Sequence, residues 1–158
     1  MSALTLATRL IAHFEGCRTT AYQDVAGVWT IGFGAIWNAR EGRAVREGDT
    51  ITEADALADL SAAVSTTLDA VQLVAPRNAT MHQVAACTSL AYNIGVGAFR
   101  SSLVLRLWRA GLGCPAANHF LDWDHAHVNG QLVVVDGLLN RRGAERTFFL
   151  TADSEGGA

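Results

Sequence analysis

Near the start of the chain, Leu4, Ala7, Leu10, Ile11 and Phe14 recur at spacings of three and four, which lines them along one face of a helix. Gly16 predicts its end. Over residues 19–36 the period changes. Tyr22, Val28, Trp29, Ile31 and Phe33 favour strands, and Gly27, Gly32 and Gly34 interrupt them, so a short antiparallel sheet with tight turns is expected. The charged, glycine-containing stretch 38–49 reads as a surface loop. Thr52 with Asp55 predicts a capped helix running to about residue 73, and Pro76 marks the break behind it. Thr80 with Gln83 is a second capping box. The segment beyond it, MHQVAACTSLAYNI, is apolar nearly all round and belongs at the centre of a bundle. Gly95 and Gly97 end it. A short helix from Ser101 or Ser102 to Gly111, another opened by Pro115, and a last one over about 138–150 complete the helical part. NGQLVVVDG reads as a strand or an extended loop, residues 151–158 as a frayed tail, and no internal repeat is visible.

This pattern is α+β: a small sheet over about 19–36, a helical lobe over about 52–150, and a cleft between them as the natural place for a substrate. The 158 residues fit one domain, and with half of them hydrophobic a sizeable core can be buried. A formal net charge of −3 speaks against a general nucleic-acid binder. Cys17, Cys87 and Cys114 are an odd number without metal-ligand spacing, so the expectation is three reduced thiols packed as small hydrophobes. The N-terminal stretch lacks the features of a signal peptide, and no run approaches the roughly 20 apolar residues of a membrane span. The expected location is the cytoplasm until something else lets the chain out.

The informative stretch for chemistry is EGCRTTAYQDVAGVWTIGFG, residues 15–34. Glu15 falls at the end of the first helix, where the helix dipole disfavours a negative charge. Asp24 lies in the turn region, and Thr30 in the strand after it. A protonated carboxyl, an ionised one, and a hydroxyl that orients water are the parts of a glycoside-cleaving site. Spacing alone does not separate such a pair from two solvated surface charges.

The stretch nevertheless resembles the phage-type lysozymes, or endolysins (glycoside hydrolase family 24). The family pattern of Glu-Gly, Arg, Ala-Tyr, Asp, Gly and Thr-Ile-Gly-x-Gly is met at Glu15, Gly16, Arg18, Ala21, Tyr22, Asp24, Gly27, Thr30, Ile31, Gly32 and Gly34. SLAYNIGVGAFRSS (89–102) is similar to the family's central helix and glycine turn, and GLLNRRGAE (137–145) to its closing motif. Two departures stand out: Ala35 where the family usually has His, and the insertion-like stretch HVNGQLVVV before Asp136. The first implies altered local packing and the second a different far wall of the cleft.

The resemblance implies a lysozyme-like fold. It also implies hydrolysis of the β-1,4 bond between N-acetylmuramic acid and N-acetylglucosamine in bacterial peptidoglycan, with inversion, by a monomer that uses no metal and no cofactor. Glu15 would be the general acid, Asp24 the ionised stabiliser that helps place the water, and Thr30 the hydroxyl that holds it. Arg141 matches a position whose guanidinium pairs with the catalytic Glu. Ile36, Tyr92 and Ser102 match cleft-lining positions, and for each a purely structural role stays open, as does a solvated one for Arg141. Arg18 and Tyr22 read as structural supports. A holin pore would give access to the wall during host-cell lysis.

Other groups fit simpler roles. DWDHAH (122–127) places two His two apart but supplies no clear set of further metal ligands. His13 and Cys17 read as a packing pair before a base and nucleophile. The four tryptophans fit core or cleft wall, and sugar stacking by Trp37 has no support in the sequence. Arg100, Arg106 and Arg109 form either a local basic surface or ordinary solvated charges. Two rival readings remain: a lytic transglycosylase, against which Asp24 and Thr30 speak, and a wall-binding or structural module that has lost its chemistry, against which all three catalytic candidates speak.

Overall fold

The Ser2 hydroxyl accepts the Thr5 N–H at 3.2 Å and opens α1 (Ala3–Glu15), which buries Ala7, Thr8 and Ile11 and stops at Gly16, φ 68°. Of the apolar positions that predict this helix, Ala7 and Ile11 are buried, while Leu4, Leu10 and Phe14 are half-buried. The structure is a computed structural model and describes residues 1–153.

After Gly16 the chain forms β1 (Arg18–Gln23), which pairs antiparallel with β2 (Trp29–Gly32), Tyr22 opposite Thr30 and Gln23 opposite Trp29. The register shifts between Arg18 and Tyr22. There β1 turns to another partner: the Ala21 N–H donates to the Asp49 carbonyl, and the Ile51 N–H to the Thr19 carbonyl, both at 2.9 Å. The 38–49 segment is not only a loop. β3 (Trp37–Asn38) pairs with β4 (Arg43–Ala44), and Val45 is buried. Its order comes from side chains: Arg43 makes a two-pronged contact with Asp49, both bonds 2.8 Å, and a polar composition hides that from hydropathy.

Thr52 caps α2 (Glu53–Gln72) by accepting from the Asp55 N–H. Thr80 and Gln83 cap α3 (Met81–Ile94) reciprocally. Eight consecutive residues of α3, Val84 to Ala91, are buried, which makes it the central helix. Two polar residues in this run are satisfied: the Thr88 hydroxyl donates to the Val84 carbonyl at 2.8 Å, and Ser89 donates to Glu145. Gly95, expected to end α3, does so at φ 91°, but the chain goes straight into α4 (Val96–Ser101) instead of an open glycine turn. Then follow α5 (Leu103–Arg109), α6 (Gly113–Asn118) and a 3-10 turn at His119–Trp123. Pro115 lies in the first turn of α6, where its missing N–H costs nothing.

NGQLVVVDG is half of a hairpin. β5 (His125–Val128) pairs with β6 (Gln131–Val134) across Asn129 and Gly130, which both take positive φ, 51° and 80°. α7 (Asp136–Leu150) closes the fold. The frayed tail expected from 151 is tied back at Asp153, whose carboxylate accepts the Met81 and His82 N–H groups and meets His82 Nδ1 at 2.6 Å. The remainder of that tail lies outside the described residues. The main core joins α2 through α7 and the 3-10 turn around Leu90, Phe99, Trp108, Phe120 and Phe149, and a second cluster of Ala7, Ile11, Leu60, Val64 and Ala85 ties α1 and α2 to α3. Among the described residues no helix is long and apolar enough to cross a membrane.

Candidate active site

Glu15 is the last residue of α1, its side chain 30% exposed. Arg141 Nη1 donates to Glu15 Oε1 at 2.9 Å, and no donor among the described residues takes Oε2. Arg141 itself is buried, lies over the Phe14 ring at 5.6 Å, and donates from Nε to Glu145 Oε1 at 3.2 Å. Glu145 is fully buried. It accepts Ser89 Oγ at 2.6 Å and Arg142 Nη2 at 3.2 Å, and Arg142 also donates to Asn93 Oδ1 at 3.0 Å. Burial pushes the Glu145 carboxyl up and the Arg142 guanidinium down, and each partner's charge opposes the shift in the other. The acid's oxygen is thus fixed through a buried ion network that reaches across α1, α3 and α7. Sequence reasoning selected Arg141 and missed Glu145, Arg142, Ser89 and Asn93. The available signal was the spacing of Glu145, three and four residues beyond the two arginines on one helix.

Asp24 is held by its own turn. Its Oδ1 accepts the N–H groups of Ala26 and Val28, each at 2.9 Å, while Gly27 takes φ 79° and donates its N–H to the Asp24 carbonyl. This is a three-residue hairpin tip with glycine in the left-handed position. Oδ2 has no donor among the described residues. Thr30 is buried on β2 and its hydroxyl donates to the Val28 carbonyl at 3.0 Å, which leaves its oxygen lone pairs as acceptors. Arg18, stacked on the Tyr22 ring at 4.3 Å, braces the other strand of this hairpin, in keeping with a supporting role.

A cavity of about 260 Å³ lies between the Gly32–Trp37 turn (which follows β2), α2 and Tyr92 of α3. Ile36 and Tyr92, both expected in the cleft, line it, and so do Trp37 and Asp59. None of Glu15, Asp24 and Thr30 does. Tyr92 connects the two: burial raises its phenol, and the Glu15 charge adds to the rise while Arg141 opposes it. Gly32 has φ 64°, and a Cβ there would meet the Ala56 Cβ at 3.1 Å, so glycine lets the turn close on α2. Ala35 contributes only a methyl group to the lining.

Ser102 is placed elsewhere. Its hydroxyl donates to the Phe99 carbonyl at 2.7 Å and accepts the Leu105 N–H, which makes it the cap of α5 at the floor of a separate groove. In DWDHAH, Asp124 pairs with its neighbour His125, and Asp122 pairs with His119. Trp108 is core and donates to Gln83 Oε1 at 3.2 Å. Cys87 is buried, Cys17 half-buried and Cys114 exposed, and all three are free thiols.

A carboxyl at a helix end, gripped by a buried arginine, followed by a hairpin that carries a carboxylate and a hydroxyl and leads at Gly32 into a cleft, is a set of groups that suits glycoside hydrolysis. The chain belongs to the phage lysozyme family, whose description it matches over residues 12–145. The endolysin of Acyrthosiphon pisum secondary endosymbiont phage 1 is 37% identical, over 90% of this chain and 94% of that protein. The endolysin of Bacillus phage B103 is 38% identical over 92% of this chain, which spans 53% of that relative. Among solved structures, the endolysin from Escherichia coli O157:H7 phage FAHEc1 superposes with a TM-score of 0.85 at 33% identity, covering 95% of this chain and 94% of that one.

Proposed function

We propose that this lysozyme cleaves the β-1,4 bond between N-acetylmuramic acid and N-acetylglucosamine of bacterial peptidoglycan with inversion, as a monomer, using Glu15, Asp24 and Thr30. Family membership makes the chain a glycoside hydrolase of the endolysin type. The observation that carries the assignment of roles is the grip on Glu15: one oxygen is fixed by Arg141 and the other meets no donor among the described residues, free to deliver a proton to the glycosidic oxygen. In the reaction that proton passes from Oε2 to the glycosidic oxygen as the bond to C1 breaks, which releases the N-acetylglucosamine 4-hydroxyl. A water accepted by Thr30 adds to C1 from the opposite face, and Asp24 Oδ2 takes its proton. Solvent exchange then restores both carboxyl groups. Inversion requires room for that water, a carboxyl separation of about 6.5–9.5 Å. Ile36 and Tyr92 contribute binding surface in the cleft. Ser102 supports the adjoining helix.

The test is digestion of purified peptidoglycan by wild type and by Glu15→Gln, with mass spectrometry of the products. Hydrated muropeptides with reducing ends from the wild type, and none from the variant, are expected. Anhydro products would assign a transglycosylase instead, and no products from either protein would favour a binding module. Release to the wall through a holin pore is part of the proposal: lysis of cells that express this chain without any pore-forming protein contradicts it.

A further inference from the structure

The cations of this chain are unevenly placed. Residues 70–121 contain four arginines and no Asp or Glu, a formal charge of +4, against −7 for the remainder of a chain whose net charge is −3. Three of those arginines, Arg100 on α4 and Arg106 and Arg109 on α5, line one groove of about 350 Å³, floored by Ser102 and Leu105. All three are exposed, and none meets a carboxylate among the described residues. The other arginines mostly have partners: Arg40 pairs with Asp55 and Asp59, Arg43 with Glu41 and Asp49, Arg141 and Arg142 with Glu145, and Arg146 with Asn118. The groove thus concentrates unneutralised guanidinium groups, whose fork geometry suits carboxylates. α4 packs on α2 and α3, the two helices that contribute to the wall of the cleft.

We propose that the Arg100–Arg106–Arg109 groove is a second contact for the substrate, binding the carboxylates of the peptide stems that the glycan carries. This rests on the muramidase reading. A strand seated in the cleft projects its stems over the neighbouring helices, and a groove with three free cations holds their anionic ends. The contact adds affinity for wall that carries peptide and leaves the bond-breaking step unchanged.

The test compares sacculi stripped of teichoic acid, with stems intact, against glycan strands freed of peptide by an amidase. Wild type, R100Q/R106Q/R109Q and the charge control R46Q/R77Q are measured for KM, kcat and co-sedimentation. The triple variant is expected to raise KM on the peptide-bearing substrate about tenfold, in the range of three exposed charge contacts, with kcat unchanged. The wild-type advantage shrinks with added salt. On peptide-free strands the triple variant matches wild type, and the control matches it on both. R106Q alone gives a smaller rise of the same pattern and serves if the triple variant does not fold. Equal loss on both substrates, no loss on either, the same loss in the control, or an advantage that appears only with teichoic acid retained overturns the proposal. If wild type cleaves neither substrate the muramidase reading fails, and weaker sedimentation of the triple variant with peptide-bearing sacculi still decides the groove.

Discussion

Glu15 and Asp24 are nine residues apart in sequence and are held by opposite means. Glu15 is aimed by a guanidinium 126 residues away, itself fixed by a carboxylate with no exposed surface. Asp24 is aimed by two N–H groups of its own hairpin tip. One group depends on the packing of the helical lobe, the other on a turn that its neighbours encode. Damage to the lobe should therefore disturb Glu15 first, and damage to the turn should disturb only Asp24.

The largest expected effect tests the first half of that contrast. Glu145→Gln removes the charge that two buried guanidiniums share, and should cost about 3–5 kcal/mol in urea unfolding. Asp24→Asn, at an exposed tip, should change stability by no more than about 0.5 kcal/mol. Equal costs in the two variants would dissolve the distinction.

Arg141→Lys keeps the charge but loses the fork that reaches Glu15 and Glu145 together. Misplacement of the acid on this scale is expected to lower kcat on the order of a hundredfold, with a much smaller change in KM. A change in KM alone would mean that Arg141 holds substrate and does not aim the acid.

Smaller effects belong to the turns. Gly27→Ala has open space for its Cβ, so its cost is the left-handed backbone alone, about 1–2 kcal/mol by thermal unfolding. Gly32→Ala adds the 3.1 Å approach to Ala56 and should cost more. The Gly27 variant should lose activity beyond its loss of stability, because Asp24 sits in that turn.

The smallest effect is in acid. Arg43 and the Arg46 N–H hold the Asp49 carboxyl well below the usual carboxylate range. A carboxyl depressed on folding contributes stability that is present above its unfolded pKa, about 3.9, and is lost as pH falls through the folded value. Melting temperature should therefore drop more steeply below about pH 4 in wild type than in Asp49→Asn.

Much of this fold was legible in the chain. The Ser/Thr capping signals at Thr52 and Thr80, and the glycines at 16 and 95, mark helix ends because the backbone groups there have few ways to be satisfied. The β5–β6 hairpin was half visible: Asn129-Gly130 is a strong turn signal, but its first strand, HAHV, carries two histidines and no apolar run. α4 was hidden by Gly95 and Gly97, which read as a stop where tertiary packing of Phe99 continues the chain as helix. The resemblance gave the acid, the carboxylate and the hydroxyl their expected roles. The network behind the acid was not legible, since Arg and Glu at helical spacing describe a solvated surface as well as a buried cluster. Only burial distinguishes the two.

Whether Glu15, aimed by Arg141, protonates the leaving oxygen is decided by a substrate that needs no protonation. Glu15→Gln should be compared with wild type on natural glycan and on a muropeptide glycoside bearing an activated aryl leaving group. A loss of about 10²–10⁴-fold is expected on the glycan and a much smaller loss on the aryl glycoside. Equal losses on the two substrates, or undiminished cleavage of the glycan, would mean that Glu15 is not the acid.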